Sequence, residues 1–155
     1  MTNTKIVWLS SRLVDRANRY LHDELVREGY SEIAPGNTDV LLPLFERDGQ
    51  SVSEIARAAC RTKSTVSVMI DRLEKLGYVR KGPNGKDSRA VAVFLTEKGL
   101  RYRNVAIEIG ERLSSKVLQN IRPWEAEAVE EFMARMIGNL SEGSEGPCAG
   151  RTKGG

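Results

Sequence analysis

Two short helices with well-defined starts, followed at once by a basic hairpin, restrict the fold of this chain more than any other feature. In "SVSEIARAAC", Ser51 and Glu54 have the spacing of a capping box, in which each side chain accepts from the other residue's backbone N–H. Thr62 stands where an N-cap would open a second helix, and Gly77 stands where that helix would stop. Two capped helices joined by about three residues predict a helix-turn-helix.

The segment after Gly77, "YVRKGPNGKDSRAVAVFLT", predicts a β-hairpin. One strand is expected at 78–81 and the return strand at 90–95, with a loop containing Pro83, Asn84 and Gly85. Thr96 then predicts the N-cap of a helix that reaches about residue 120, and Pro123 predicts the start of a last helix.

Apolar residues at helical spacing predict a long first helix over residues 4–28, ended by Gly29. The segment "SEIAPGNTD" is expected to be a loop, and "TDVLLPLFERDG" to be a second helix with Thr38 as its N-cap. Pro43 removes a backbone hydrogen bond inside that helix, so we expect a late start or a kink. Glycine dominates "SEGSEGPCAGRTKGG", which predicts a disordered tail over 141–155.

Positive charge is concentrated in the middle third of the 155 residues. Residues 51–103 hold twelve Lys and Arg against five Asp and Glu, a net of +7, whereas each flank holds six against eight. This distribution is typical of a module that binds a polyanion, although a solvated basic face explains the charge equally well.

The composition argues against several other classes of protein. Two cysteines, Cys60 and Cys148, are too few for a disulfide scaffold and lack metal-ligand spacing, which indicates a reducing compartment and no structural metal. Cys60 is expected to be a buried small hydrophobe. No signal peptide or membrane span is predicted, so we expect a cytoplasmic protein. The single histidine, His22, is interpreted as a surface or interface residue, and with no catalytic or cofactor motif we expect neither an enzyme nor a cofactor.

The helix that starts after Thr62 has one apolar side and one side of short polar and charged residues. Short hydroxyls and a valine methyl group can approach base edges in a major groove. In the hairpin, Arg89 is the candidate for the minor groove, Asp87 is placed to orient it, and Lys81 and Lys86 are expected to reach phosphates from outside. The candidate DNA-binding residues are Lys63, Ser64, Thr65, Ser67, Val68, Arg72, Lys75, Lys86, Asp87 and Arg89.

The order of these elements resembles the winged helix-turn-helix, and the sequence is similar to the MarR family of bacterial transcription regulators. The resemblance rests on "STVS…IDRLEKLGYV", on the wing "DSR" and on "LTEKG", and it covers about residues 5–140. It implies an obligate homodimer that binds double-stranded DNA, with the second motif helix in the major groove and the wing arginine in the minor groove. Many members carry a longer polar or basic residue where this chain has Val68, so base preference there does not carry over.

The fold class expected is therefore mainly α, with a winged helix-turn-helix domain and a two-stranded wing (36–99) embedded in a helical dimerisation region (1–30 and 100–140). The apolar faces of the first and last helices exceed what their own chain can cover, which favours a partner copy over an intrachain core. The candidate dimer interface is Ile6, Leu9, Leu13, Val129, Phe132, Met133 and Met136.

The function expected is a regulator, most simply a repressor, that binds a pseudo-palindromic operator. The resemblance also implies release by a small aromatic ligand in a cleft, for which the candidate residues are Trp8, Tyr20, Tyr30 and Phe45, each equally compatible with a core position. The alternative is a winged-helix protein-interaction module that is dimeric but has no DNA target.

Overall fold

A computed structural model describes residues 5–85 and 87–141, without the side chains of 87–90 and 141. The predicted, mainly helical winged-helix architecture is confirmed. The tail predicted to be disordered lies outside the described residues, apart from Ser141, which ends the last helix. The elements in chain order are α1 (Lys5–Arg27), α2 (Pro35–Glu46), β1 (Gln50–Ser51), α3 (Val52–Ala58), α4 (Lys63–Lys75), β2 (Val79–Asn84), β3 (Asp87–Leu95), α5 (Glu97–Val117) and α6 (Pro123–Ser141).

The small sheet has three antiparallel strands in the order β1-β3-β2. The predicted two-stranded wing is the hairpin of β2 and β3, with Val79 opposite Leu95 and a register shift between Pro83 and Asn84. Strand β1 was not predicted, and it pairs Gln50 with Val93. A strand of two residues is too short to show an alternating pattern, so only the folded chain reveals it.

Three predicted helix caps are confirmed by their hydrogen bonds. Ser51 Oγ accepts from the Glu54 N–H at 3.2 Å, and Glu54 Oε2 accepts from the Ser51 N–H at 2.8 Å, which completes the capping box. Thr62 caps α4 and Thr96 caps α5 in the same way, each accepting from the N–H three residues later. These caps fix where α3, α4 and α5 begin.

The predicted start of α2 is wrong. The helix begins at Pro35 with Ala34 as its N-cap residue, and Pro43 is buried in its interior. Proline at the first helical position has a suitable φ and loses no intrahelical bond, which explains the earlier start. The hydroxyl of Thr38 instead forms a 2.6 Å hydrogen bond with the hydroxyl of Tyr102 on α5.

The hydrophobic core lies within the winged domain and reaches α5 through aromatic residues. Val66, Ile70 and Leu73 of α4 are fully buried in it. The ring of Tyr102 lies 5.1 Å from that of Tyr30 and 5.5 Å from that of Tyr78. Since Tyr78 begins the hairpin and Tyr102 belongs to α5, this contact holds the wing against the long helix.

The terminal helices contribute little to this core. Of the side chains of α1, only Glu24 and Leu25 are buried, and none of the described side chains of α6 is buried. Within residues 5–85 and 87–141, no helix is long and apolar enough to cross a membrane.

Candidate nucleic-acid interface

Helix α4 presents the predicted contact residues on the side opposite the core. Val66, Ile70 and Leu73 anchor its inner side, so its outer side is fixed relative to the domain. Val68 is 69% exposed at the middle of the outer side, and Ser67 is half-buried. The other predicted residues of this helix are exposed: Lys63, Ser64, Thr65, Arg72 and Lys75.

The N-terminal turn of α4 carries a cluster of hydroxyl groups. Thr62 Oγ1 lies 2.8 Å from Thr65 Oγ1 and 3.2 Å from Ser64 Oγ, and it also accepts from the Thr65 N–H. Hydroxyls and the positive end of a helix dipole favour an anion, and a DNA phosphate is one such anion. This turn therefore offers polar contacts without a long side chain that must be ordered.

The turn between α3 and α4 is rigid and is tied to α2. The Arg61 N–H donates to the Ala56 carbonyl at 3.0 Å and the Cys60 N–H donates to the Arg57 carbonyl, which is a Schellman motif. Arg61 Nη2 also bonds Asp39 Oδ2 at 2.9 Å. Cys60 occupies the left-handed position of the motif with φ of 54°, and it is exposed, so the prediction that it is buried is wrong. The motif turns this side chain away from the core.

The wing extends beside α4, and part of the predicted wing site can be placed. Lys86 lies outside the described residues. Asp87 and Arg89 belong to β3, with Asp87 paired to Asn84 at the tip, but their side chains are not described. On β2, the Arg80 guanidinium carbon lies 4.6 Å from the centroid of the Phe94 ring.

Lys81, which the sequence suggested as a phosphate contact, instead faces carboxylates of α4. Its ammonium group forms a hydrogen-bonded ion pair with Asp71 and lies 3.4 Å from Glu74 Oε2. Its backbone N–H also donates to Glu74 Oε1 at 3.0 Å. The hydrogen bond to Asp71 raises the pKa of Lys81 above its ordinary value; desolvation opposes this increase, and the hydrogen bond to Glu74 adds to it. The sequence did contain a signal for this contact. Asp71 and Glu74 are three residues apart, so they lie on the same side of α4 shortly before the turn at Gly77.

The four candidate ligand-cleft residues are not brought together. Tyr30 and Phe45 pack against Tyr102, with Phe45 6.2 Å from it between ring centroids. Trp8 is 58% exposed on α1. Tyr20 lies twelve residues further along α1, about 18 Å away at 1.5 Å per residue, and faces Lys116 of α5.

All seven candidate dimer-interface residues line one apolar groove. The groove lies between the N-terminal half of α1 and α6 and has a volume of about 670 Å³. Ser10, Arg135 and Asn139 complete its lining. The residues predicted from the two ends of the sequence are thus adjacent in the structure.

Residues 33–91, which run from the loop before α2 into β3, match the model of the MarR family. Over these residues the chain is similar to the MarR family. The resemblance read from the sequence is thereby confirmed for the helix-turn-helix and most of the wing. Among residues 5–85 and 87–141, no cluster of three or more His, Cys, Asp or Glu is placed to hold a metal ion.

Known proteins similar to this chain are named as transcription regulators. It is 36% identical over 95 residues to the HTH-type transcriptional regulator TtmR of Methylorubrum extorquens, an alignment that covers 60% of this chain and 45% of TtmR. The chain therefore spans less than half the length of that relative. Over 98 residues it is 28% identical to the transcriptional regulator HosA of Escherichia coli O157:H7, covering 63% of this chain and 73% of HosA.

A solved structure of reduced AbfR bound to DNA has the same fold, with a TM-score of 0.70 at 22% identity over 88% of this chain and 92% of AbfR.

Proposed function

We propose that this chain is a DNA-binding transcription regulator that acts as a homodimer on an inverted-repeat operator, most simply as a repressor. The observation that carries the proposal is the outer side of α4, which combines exposed hydroxyls, cations and one exposed valine beside a basic wing. A winged domain with a net charge of +7 over residues 51–103 suits a polyanion. The DNA in the AbfR structure supports the same role for this fold.

In this proposal, different helices and strands bind DNA and form the dimer. Residues 36–99 read DNA, with α4 in the major groove and Arg89 of the wing in the minor groove, while 1–30 and 100–140 form the dimer. Ser64 and Thr65 lie at the end of α4 where they can approach phosphates and base edges. Val68 can meet a thymine methyl group, because it is apolar, exposed and central on the outer side.

The partner proposed for the groove between α1 and α6 is a second copy of the chain. Phe132 and Val129 of α6 are more than half exposed, as is Ile6 of α1, and no described side chain of α6 is buried. Apolar surface of this extent on a single copy is best explained by a partner. A two-fold dimer would present two α4 helices to successive major grooves, with half-site centres about 10 base pairs apart.

A small aromatic ligand that releases the dimer from DNA remains part of the proposal. Trp8 is exposed and Tyr20 is half-buried against Lys116, whereas Tyr30 and Phe45 pack against Tyr102. Titrating aromatic acids and phenols against the protein–operator complex tests this. Because Trp8 and Tyr20 lie about 18 Å apart on α1, only one of Trp8→Leu and Tyr20→Leu should weaken release.

Selection of bound sequences from a random duplex library tests DNA binding. We expect an imperfect inverted repeat and an affinity that falls steeply with salt. Arg89→Ala should cost on the order of 1–3 kcal/mol of operator binding, and Lys86→Ala should weaken specific and random DNA about equally. A protein that is dimeric but retains no duplex at low salt would contradict the proposal and indicate the protein-interaction module instead.

Sedimentation of wild type and Phe132→Glu tests the dimer, with Trp124→Glu as a matched control on α6 outside the groove lining. A charge buried at the seam should dissociate the dimer or unfold the chain. A folded wild-type monomer at micromolar concentration would refute the assembly.

A further inference from the structure

We infer that Lys81 is a positioning residue, which fixes the wing against α4 and offsets part of the negative charge of Asp71 and Glu74, and that it is not a phosphate contact. The inference rests on the proposed DNA binding and deepens it. It assigns different roles to lysines that the sequence alone treats alike.

Lys81 is bound to α4 at two points. Its ammonium group pairs with Asp71 and lies 3.4 Å from Glu74 Oε2, while its backbone N–H donates to Glu74 Oε1 at 3.0 Å. The side chain is 34% exposed, so it keeps contact with solvent while its ammonium group lies against the two carboxylates. A lysine held in this way cannot also extend to a phosphate without giving up both carboxylates.

The connection between the two elements is short and stiff. Gly77 has φ of 81°, and the Tyr78 N–H donates to the Leu73 carbonyl at 2.9 Å, which closes the end of α4. Only a few residues then separate this turn from Lys81. The remaining freedom is the angle of β2 relative to α4, and the contacts of Lys81 oppose a change in that angle.

The same contacts matter for charge. Asp71 is exposed on α4, between the contact candidates Val68 and Arg72. An uncompensated carboxylate at this place would repel the phosphate backbone of a bound duplex. The Lys81 ammonium offsets part of that charge, so we expect removal of the ammonium to strengthen the repulsion between Asp71 and phosphate.

The deciding experiment measures duplex affinity against salt concentration for wild type, Lys81→Gln, Asp71→Asn and the double variant. Lys75→Gln is the control, because Lys75 is an exposed lysine of the same helix. Loss of one phosphate contact lowers the slope of log affinity against log salt by about 0.9. We expect that decrease for Lys75→Gln and a smaller decrease for Lys81→Gln, because the Lys81 ammonium is paired with Asp71. The affinity of Lys81→Gln should fall about three- to tenfold.

Asp71→Asn in the Lys81→Gln background should recover part of the lost affinity, because the uncompensated carboxylate is removed, while the loss caused by the freed wing remains. A slope for Lys81→Gln that falls as it does for Lys75→Gln, an affinity of Lys81→Gln equal to that of wild type, or a double variant that regains the full wild-type affinity would overturn the positioning role of Lys81. Hydrogen exchange of the free protein gives a readout without DNA, since the amide of Lys81 should exchange faster in Lys81→Gln. If wild type binds no duplex, the proposed function fails, while the exchange measurement still tests the contact.

Discussion

Removing the Tyr78 hydroxyl is expected to destabilise the junction between α4, the wing and α5. This hydroxyl donates to Glu32 Oε1 at 2.5 Å from a fully buried side chain. Lys98 of α5 donates to the same carboxylate oxygen at 3.3 Å and to the Leu76 carbonyl at 3.0 Å. In Tyr78→Phe the ring and its packing remain, so the change isolates one hydrogen bond.

The expected loss follows from the charge and exposure of the acceptor. A hydrogen bond to a charged group contributes about 1.5–3 kcal/mol. The Glu32 side chain is 33% exposed and keeps Lys98, so water and the ammonium replace part of the interaction. We expect the free energy of unfolding to fall by about 1–2 kcal/mol near neutral pH.

The loss should depend on pH with a definite sign. The Tyr78 hydrogen bond is the largest cause that lowers the pKa of Glu32 below its ordinary 4.5. A carboxyl group with a lowered pKa contributes stability that is present above pH 4.5 and disappears as the pH falls through its folded value. The difference between wild type and Tyr78→Phe should therefore be full near neutral pH and shrink below pH 4.5.

Urea unfolding at one fixed protein concentration measures this difference. Tyr102→Phe is the matched control, because its hydroxyl bonds the neutral hydroxyl of Thr38, so its cost should not change over the same acidic range. A cost for Tyr78→Phe below about 0.5 kcal/mol, or one that is independent of pH, would refute the assigned role of the hydroxyl.

Three further predictions concern local structure and are checked by denaturation. Gly99→Ala should destabilise the folded protein strongly, because the added Cβ would lie 2.2 Å from the Tyr78 carbonyl oxygen. Gly110→Ala in the same helix is the control, since its Cβ would meet open space, and it should stabilise the folded protein by about 0.5–1 kcal/mol. Ser51→Ala removes the N-cap of α3 and should cost about 1 kcal/mol. The hydrogen bond from the Ser51 backbone N–H is the largest cause that lowers the pKa of Glu54 to about 2. The Glu54 carboxylate should therefore stabilise the fold above pH 4.5, and this stabilisation should be lost as the pH falls toward 2.

The parts of the fold that were predicted correctly depend on contacts within a few residues. Ser51, Thr62 and Thr96 each bond an amide three residues later, so their identity and spacing are enough to locate a helix start. Gly77 stops α4 for an equally local reason, its positive φ. Such signals do not depend on how the elements later pack.

The predictions that failed were decided by local alternatives or by distant partners. Thr38 is a residue type suited to an N-cap, but the helix already begins at Pro35. The Thr38 hydroxyl instead forms a hydrogen bond with Tyr102, 64 residues away in the sequence. The contact of Lys81 with Asp71, which no prediction included, likewise depends on the end of α4 lying beside the wing. The groove between α1 and α6 shows the opposite case, because helical spacing alone identified residues that prove to lie together.

The start of α5 connects the helices of the proposed dimer to the elements proposed to read DNA. Thr96 Oγ1 donates to the Gly77 carbonyl at 2.5 Å, and the Thr96 N–H donates to the Tyr78 carbonyl at 3.0 Å. Gly99 packs so closely on the same carbonyl that no side chain fits between them. These contacts join backbone to backbone or backbone to a short side chain, so they allow little movement of α5 relative to Gly77 and Tyr78. A rotation of α5 against the winged domain must therefore move the base of β2 and the end of α4 with it, or break these bonds. Any ligand that changes the angle between the two subunits' long helices would act on α4 and the wing through this junction.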